Sequence, residues 1–464
     1  MTHPAMVDST ERLSFREKLG YGIGDTAANF IFQTLMIFQM AFYTDTFGIS
    51  AAAAGTLFLV VRGWDAIFDP IVGIVSDRTN TRWGKYRPWV LWTAVPFGIM
   101  GFVAFTTPNL GPTGKLIYAY VTYTLLMMVY SANNVPYSTL SGVMTGDVGE
   151  RTSLSSYRFA CMTLAAFLIQ GLALPMVSFF GQGNDQRGYQ MTMGIFSALA
   201  IIFFIITFIS TKERIRPDPT QESSVKRDIA DLLKNGPWIA MFFLTLILFV
   251  TLALRNGVMV YYFKYHVGQE SLLSPFLVSG LAATLVGIVL ARKVATRFGK
   301  RNVFIVGLGG TAVFTAVFSI LPADAVFLIF TGEILRQLAY GFTIPLLWAM
   351  MADVADFSEW TTRRRATGMV FAAIVFALKA GLGVGGALGG WILAAYGYVP
   401  NVAQTAHSLL GIRLAAGVYP AITFLICMVC LLFYRIGKHM EFQMAHELAE
   451  RRKAYAAAAG TSTP

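Results

Sequence analysis

Twelve apolar stretches, each of about 18 to 28 residues, dominate this 464-residue chain, and a segment of ~20 apolar residues is what crosses the ~30 Å hydrocarbon layer of a bilayer. They run roughly over 20–44, 52–75, 89–107, 116–143, 153–180, 189–211, 237–264, 272–297, 303–321, 325–352, 368–396 and 411–434. A surface that meets water carries about a quarter of its residues charged. Here Asp, Glu, Lys and Arg make up 13% against 55% apolar residues, and the mean hydropathy is +0.59. Most of the surface therefore faces something other than water. In lipid a backbone must satisfy its own polar groups, so spans of this kind are helices. The chain is expected to be an all-α membrane protein. Its first stretch is too long for a secretory leader and lacks a small-residue cleavage pattern, so it is expected to remain as a span.

The longest polar stretch between spans, 212–236, sits at the middle of the chain. It divides the spans six and six. The expected organisation is a cytoplasmic N-terminus at 1–19, a first six-helix half at 20–211, a central cytoplasmic loop at 212–236, a second half at 237–434 and a cytoplasmic tail at 435–464. The tail reads as a polar helix from Lys438 onward. Loop charge sets the orientation. Arg78, Arg82, Lys85, Arg87, Arg292, Lys293, Arg297, Lys300, Arg301, Arg363, Arg364 and Arg365 all fall on one side, while the other side carries Lys115, Arg187 and Arg413. Retained Lys and Arg mark the cytoplasmic face, so both termini are cytoplasmic. The net charge of +11 is then a matter of topology, and no nucleic-acid partner is expected. Cys161, Cys427 and Cys430 all lie in apolar stretches, where packing is their expected role. The five His lie at ends or in loops, so neither a relay nor a metal cluster is expected in the spans.

The loop after span 2 reads Thr81-Arg82-Trp83-Gly84-Lys85, and the loop after span 8 reads Thr296-Arg297-Phe298-Gly299-Lys300. Both occupy the same place in their half. This points to a parallel internal repeat about the membrane normal, an arrangement that puts the solute site between the halves.

Ionisable groups at bilayer depth are expensive unless paired or hydrated, which makes them functional candidates. Span 2 carries Arg62, Asp65 and Asp69, whose spacings of three and four place them on one helix face. Two carboxylates about a turn apart either hold Na⁺ between their oxygens or take up a proton, and both make a coupling site. A structural salt bridge is the alternative. Span 1 carries Asp25 and Asn29, span 4 carries Tyr130, Ser131, Asn133 and Asn134, span 5 carries Arg158 and span 11 carries Lys379. Amides, carboxylates and guanidinium groups hydrogen-bond paired hydroxyls, and aromatic faces pack on ring C–H groups, so this is a sugar-binding set. The competing roles are helix–helix hydrogen bonding for Asn29 and Asn134, pairing with Asp25 for Arg158, and a counter-ion to Asp65 and Asp69 for Lys379. Glu333 and Arg336 are spaced to pair structurally, and Lys264 at the outer end of span 7 is expected to snorkel. At the inner end of span 10, Asp353, Asp356 and Glu359 stand opposite basic loops that carry Arg87 and Arg365. They are either half of an ion-paired inner gate or a solvated helix end.

Several segments together resemble one family, the glycoside–pentoside–hexuronide:cation symporters of the major facilitator superfamily. They are Gly20-Tyr-Gly-Ile-Gly-Asp25 with Asn29; Phe42-Tyr-Thr-Asp45; Gly55-Thr-Leu-Phe-Leu-Val-Val-Arg62 with Asp65 and Asp69-Pro70; Asp77-Arg78 with Arg82-Trp-Gly-Lys85 and Arg87-Pro88; Asn134-Val-Pro-Tyr137; and Ala352-Asp353-Val-Ala-Asp356 with Glu359. The resemblance runs from about Glu17 to about Arg435. It implies a twelve-helix major facilitator fold in a bacterial inner membrane. It also implies import of a sugar or glycoside by a protein that is no enzyme, needs no cofactor beyond a coupling cation, Na⁺ or H⁺, and works as a monomer. In the melibiose permeases of the family two span-2 carboxylates bind the cation; the matching residues are Asp65 and Asp69, with Ser131 and Lys379 matching a neighbouring hydroxyl and lysine. The sugar-contact positions there correspond to Asn29, Asn134, Ser138 and Arg158, of which only the arginine is kept. The pattern is more similar to the family's xyloside and glucuronide transporters, in which Trp348 matches a ring-stacking residue. A lysolipid-type transporter, the activity of distant relatives, is the alternative; it calls for a wide apolar groove and few midplane polar groups. A membrane glycosyltransferase would need a catalytic loop that the short outer loops do not provide.

Overall fold

The computed structural model describes residues 12–145, 147–214, 232–362 and 367–460. The chain runs through α1 (Phe15–Ala41), α2 (Ala51–Arg78), α3 (Arg87–Ala104), α4 (Pro112–Met144), α5 (Val148–Gly181), α6 (Asp185–Ser210), α7 (Gly236–Tyr261), α8 (Leu273–Phe298), α9 (Lys300–Val317), α10 (Val326–Thr362), α11 (Thr367–Ala395), α12 (Ala406–Ala416), α13 (Val418–Phe433) and α14 (Lys438–Gly460). Helices α12 and α13 are the twelfth apolar stretch, interrupted at Gly417. Among the described residues the sole β pairing is an isolated bridge between Thr81 and Gly84. Seven of the described segments combine the length, apolarity and low charge of a membrane span. Val289, Val306, Ile320 and Phe327 are each at least 74% exposed, the signature of a surface solvated by lipid chains.

Local sequence sets the helix starts. Ser14 and Glu17 form a reciprocal capping box on α1, satisfying N–H groups that the first turn leaves without partners. Ser50, Asp147 and Asn184 cap α2, α5 and α6. Prolines open α3 and α4, where a missing N–H is harmless. Two helix ends depart from α geometry. Six-residue π-helical turns follow α1 (Phe42–Phe47) and α7 (Tyr262–Val267), each closed by a glycine with positive φ, Gly48 at 87° and Gly268 at 73°. They fall at repeat-equivalent places.

The helices gather into two compact units. The first holds residues up to 221 together with Asn256–Val278 and Gly386–Ser408. In it α1 packs on α5 and α6, α3 on α4 and α6, and α2 on α4. The second holds Glu222–Arg255, Ser279–Gly385 and the chain from Leu409 onward. There α9 packs on α10 and α13, and α14 on α10, around a core that includes Met241, Phe304, Met350 and Phe424. Helices α8 and α10 cross at Gly287 and Gly341, where an added Cβ would lie 2.4 Å from the Leu338 or Thr284 carbonyl oxygen. Such small-residue contacts let helices approach closely in lipid. Cys427 is buried with its Sγ 3.7 Å from the Leu244 carbonyl, a packing role.

The repeated loop motif is built alike in both copies. Gly84 and Gly299 both hold positive φ, 115° and 84°, and Arg82 stacks over Trp83 as Arg297 stacks over Phe298, at 4.7 and 5.4 Å. The first copy has an added clamp. The Glu213 carboxylate accepts from the backbone N–H groups of Lys85, Tyr86 and Arg87 at 2.7–2.8 Å. A Cβ on Gly84 would lie 2.4 Å from that carboxylate.

Candidate functional site

The ionisable residues of spans 1, 2, 4 and 5 meet inside the first unit. On α2, Arg62 and Asp65 are buried, at 2% and 1% exposure, while Asp69, one turn on, is half-buried. Ser131 of α4 donates its hydroxyl to Asp65 Oδ1 at 2.5 Å, a short bond of the kind a carboxylate makes. The Arg62 guanidinium lies 5.3 Å from the centre of the Phe32 ring, and Phe32 stacks on Tyr130 at 5.1 Å. Tyr130 thus belongs to an aromatic wall beside the carboxylates.

The second group centres on Asp25 of α1. Arg158 of α5 pairs with its Oδ1 at 3.2 Å; the arginine side chain is 30% exposed and the aspartate 5%. The guanidinium also sits 5.3 Å from the Tyr137 ring centre. Tyr137 in turn stacks on Tyr21 at 4.7 Å and donates to the Tyr21 carbonyl at 2.6 Å. Arg158 is therefore fixed from two sides and keeps one edge open. Asn29 points its amide back to the Asp25 carbonyl at 2.8 Å, a bond within its own helix. Asn133 donates to Thr93 at 2.8 Å and ties α4 to α3. Asn134, its neighbour, is half-buried and makes no hydrogen bond among the described residues. The chemistry available here is a buried carboxylate set by a hydroxyl, next to a half-open guanidinium, an amide and aromatic faces.

Trp348 on α10 and Lys379 on α11 belong to the second unit, Trp348 with 39% of its surface exposed. The gate residues are distributed too. Arg87 donates to the Phe208 carbonyl at 2.7 Å and lies over the Phe208 ring at 4.8 Å. Asp353 pairs with Lys300 at 2.7 Å, and Lys300 also reaches Glu441 of α14 at 2.8 Å. Burial would lower the Lys300 ammonium, but those two carboxylates hold it above the usual lysine range. Asp356 lies on the same helix, and Arg365 lies outside the described residues. Glu333, Arg255 and Arg336 form a fully buried cluster with contacts of 2.7 Å; the Glu333–Arg336 pair is the structural pairing their spacing predicts, and Arg255 joins it from α7.

One group escaped the sequence reading. Lys264 does not snorkel; it donates to Asp45 Oδ2 at 2.6 Å and to Asn401 Oδ1 at 2.9 Å. Asp45 also accepts from Tyr265 at 2.6 Å, from Thr44 at 2.7 Å and from Tyr398. Its backbone carbonyl accepts from Asn401 at 2.6 Å, and Thr44 and Tyr261 share a 2.7 Å hydroxyl contact. The two π-turns and the segment after α11 are thus latched together through Asp45, all within the first unit. The available signal was the repeat itself. Phe42-Tyr-Thr-Asp-Thr-Phe-Gly48 and Tyr262-Phe-Lys-Tyr-His-Val-Gly268 align as an acidic and a basic version of one turn.

The model of the family described as MFS/sugar transport protein matches residues 20–438. The inner membrane symporter YicJ of Escherichia coli is 37% identical, over 96% of this chain and 97% of its own length. The isoprimeverose transporter of Lactiplantibacillus pentosus is also 37% identical, over 97% and 94%. The glucuronide carrier protein homolog of Escherichia coli is 29% identical, over 96% and 97%. Among solved structures, a D-xylose-proton symporter superposes with a TM-score of 0.63 at 14% identity, covering 90% of this chain and 95% of that one. A bacterial homolog of the lysosomal transporter Spinster reaches 0.67 at 13%, covering 90% and 96%. At such identities these two speak for the fold alone, the twelve-helix major facilitator arrangement.

Proposed function

Because the chain belongs to the MFS/sugar transport protein family, we propose that it is a sugar:cation symporter of the bacterial inner membrane that imports a small glycoside of the xyloside or glucuronide type. The observation that carries the coupling is the Asp65–Ser131 contact, a carboxylate 1% exposed and held at 2.5 Å by a neutral hydroxyl. A hydroxyl both donates and accepts, so it serves a charged, a cation-bound or a protonated carboxylate alike. Asp65 and Asp69 load the coupling ion, Na⁺ or H⁺, with Ser131 and Lys379 as its neighbours. Asp25, Asn29, Tyr130, Asn134, Arg158, Trp348 and Lys379 bind the sugar. Arg158, fixed by Asp25 and Tyr137, offers its open edge to paired hydroxyls.

Transport follows by alternating access. The halves 20–211 and 237–434, joined by 212–236, rock about the central site. The Asp45–Lys264 latch closes the outer side. On the inner side Asp353 and Asp356 close against Arg87 and Arg365, Asp353 exchanging Lys300 for a partner across the gate. The chain works as a monomer. One charge moved down a ~100 mV potential supplies about 2.3 kcal/mol, about a fifty-fold gradient of a neutral sugar. The test is uptake of xylosides and glucuronides into right-side-out vesicles under separate Na⁺ and pH gradients. Sugar-specific accumulation driven by one of the two gradients is the expected result. Accumulation that survives both Asp65→Asn and Asp69→Asn sinks the coupling role.

A further inference from the structure

Within the second unit a cavity of about 430 Å³ opens among the last turns of α8, the start of α9, the middle of α10 and the first turn of α14. Small-molecule sites fall within roughly 300–1,000 Å³. One side of the lining is apolar, with Ile288, Leu346 and Phe442, and the other is basic, with Arg292, Lys300 and Lys438 beside Glu441. These charges are not equally engaged. Lys300 is held by Asp353 at 2.7 Å and by Glu441 at 2.8 Å, so those two acids are spent on it. Lys438 gives one N–H to the Thr296 carbonyl at 2.9 Å, which pins its ammonium beside the end of α8 and leaves two donors. Arg292 is exposed and makes no hydrogen bond or ion pair among the described residues. Around it, residues 292–301 hold Arg292, Lys293, Arg297, Lys300 and Arg301 and no acid.

Topology alone accounts for basic residues on this side, since retained Lys and Arg mark the cytoplasmic face. It does not account for Phe442. The polar helix α14 buries Met444 and Leu448, yet Phe442 is 68% exposed and lines the cavity beside Lys438. An exposed phenyl ring is unfavourable in water. It is at home at the boundary between headgroups and acyl chains, where helices set Lys and Arg beside Phe. The same transition runs along α8. Val286 and Val289 are 52% and 76% exposed, and Arg292 follows one turn later. The matching molecule carries a negative head on an apolar body.

We propose that this cavity binds the headgroup of one anionic phospholipid of the cytoplasmic leaflet. Arg292 and Lys438 take the phosphate, and Phe442 and Ile288 meet the upper part of the acyl chains. Basic pockets between helices on the cytoplasmic side are where such headgroups bind. A cation is repelled by the same two residues, and a zwitterionic headgroup sets its own positive charge against them. A free phosphate would leave Phe442 uncovered. The site does not depend on which solute the protein carries.

The test uses the full chain, stripped of lipid in a neutral detergent and titrated with phosphatidylglycerol or phosphatidylcholine of matched acyl chains. Native mass spectrometry reads how many of each are retained. The parent should hold one phosphatidylglycerol in clear preference to phosphatidylcholine. Arg292→Gln and Lys438→Gln should each weaken that retention about fivefold, the worth of one basic residue near an anionic surface. Phe442→Ser should weaken it as well. Arg16→Gln removes an exposed cation from the start of α1 in the first unit and should change nothing. All four side chains are exposed, so each variant should fold as the parent does. Equal retention of the two lipids overturns the proposal. So does a loss with Arg16→Gln as large as that with Arg292→Gln, because retention then reports a basic surface and no site. Displacement of the lipid by inorganic phosphate at the same concentration, with Phe442→Ser silent, also overturns it, since the cavity then takes a free anion.

Discussion

Asp65 on α2 and Glu333 on α10 are both buried, at 1% and 0% exposure, yet they keep different company. Both oxygens of Glu333 are engaged by guanidinium groups, Arg255 at 2.7 Å and Arg336 at 2.7 and 2.9 Å. One oxygen of Asp65 is held by a neutral hydroxyl, and the nearby Arg62 lies over the Phe32 ring. A carboxylate committed to two buried arginines cannot gain a proton without stranding two positive charges. A carboxylate that has a hydroxyl among its neighbours faces a group that both donates and accepts. Burial alone therefore does not separate these two acids; the groups around them do.

The sharpest way to break this contrast is to neutralise each acid in turn. Glu333→Gln leaves Arg255 and Arg336 buried beside a neutral amide, which is expected to destabilise the fold by about 3–5 kcal/mol. Thermal unfolding in detergent measures it, and the molecules that do fold should still accumulate sugar. Asp65→Asn should do the reverse. Its unfolding midpoint should stay within a few degrees of the parent, while the accumulation ratio falls from about fifty-fold toward one, a loss of about 2.3 kcal/mol of coupling. If Glu333→Gln uncouples transport without destabilising, or Asp65→Asn destabilises without uncoupling, the contrast is wrong.

These two acids also show what the sequence made legible. Glu333 and Arg336 are three apart on one helix, so their pairing was readable from spacing, although the second arginine, 78 residues away, was not. Arg62, Asp65 and Asp69 were readable as one helix face. The spans themselves follow from apolar length, which no tertiary contact has to supply. Asp45 and Lys264 are the opposite case. Each looked unremarkable at a helix end, one as part of a shared motif and the other as a snorkelling lysine. Their pairing depends on two π-turns at repeat-equivalent places, and a π-turn has no signal in residue type comparable to a run of apolar residues. Glu213 escaped for another reason: its three backbone bonds to Lys85, Tyr86 and Arg87 join segments far apart in sequence. Asn29 was read by residue type alone, and the structure adds that its amide is turned back on its own helix.

The latch extends the comparison to an acid at the membrane edge. Asp45 shares its charge among Lys264, Tyr265 and Tyr398, so the loss of one donor should be felt but survived. Tyr398→Phe removes a hydroxyl from a charged acceptor, a change of about 1.5 kcal/mol. Local opening should then rise about tenfold. Hydrogen exchange of the backbone amides in 42–47 and 262–267 reads this directly. Unchanged exchange in both turns would mean that the latch is not held by Asp45.

The smallest effect belongs to the acid that water reaches. Glu17, in the first turn of α1 ahead of the apolar stretch, pairs with Arg214 at 2.7 Å. Burial pushes its carboxyl up, but the Ser14 backbone N–H, the Arg214 guanidinium and the Ser14 hydroxyl together hold it below the usual carboxylate range. A carboxylate whose folded pKa is depressed adds stability that is fully present above its unfolded pKa. That stability is lost as the pH falls through the folded value. For Glu17 the contribution should therefore be constant at neutral pH and fade below about pH 4.5, the ordinary value for the group. Partly exposed pairs are worth at most about 1 kcal/mol, so Glu17→Gln should shift the unfolding midpoint only slightly at pH 7, and by progressively less as the pH falls through the folded value. A shift at pH 7 as large as that of Glu333→Gln would show that this acid too is set among buried arginine contacts, and that depth does not grade these four carboxylates.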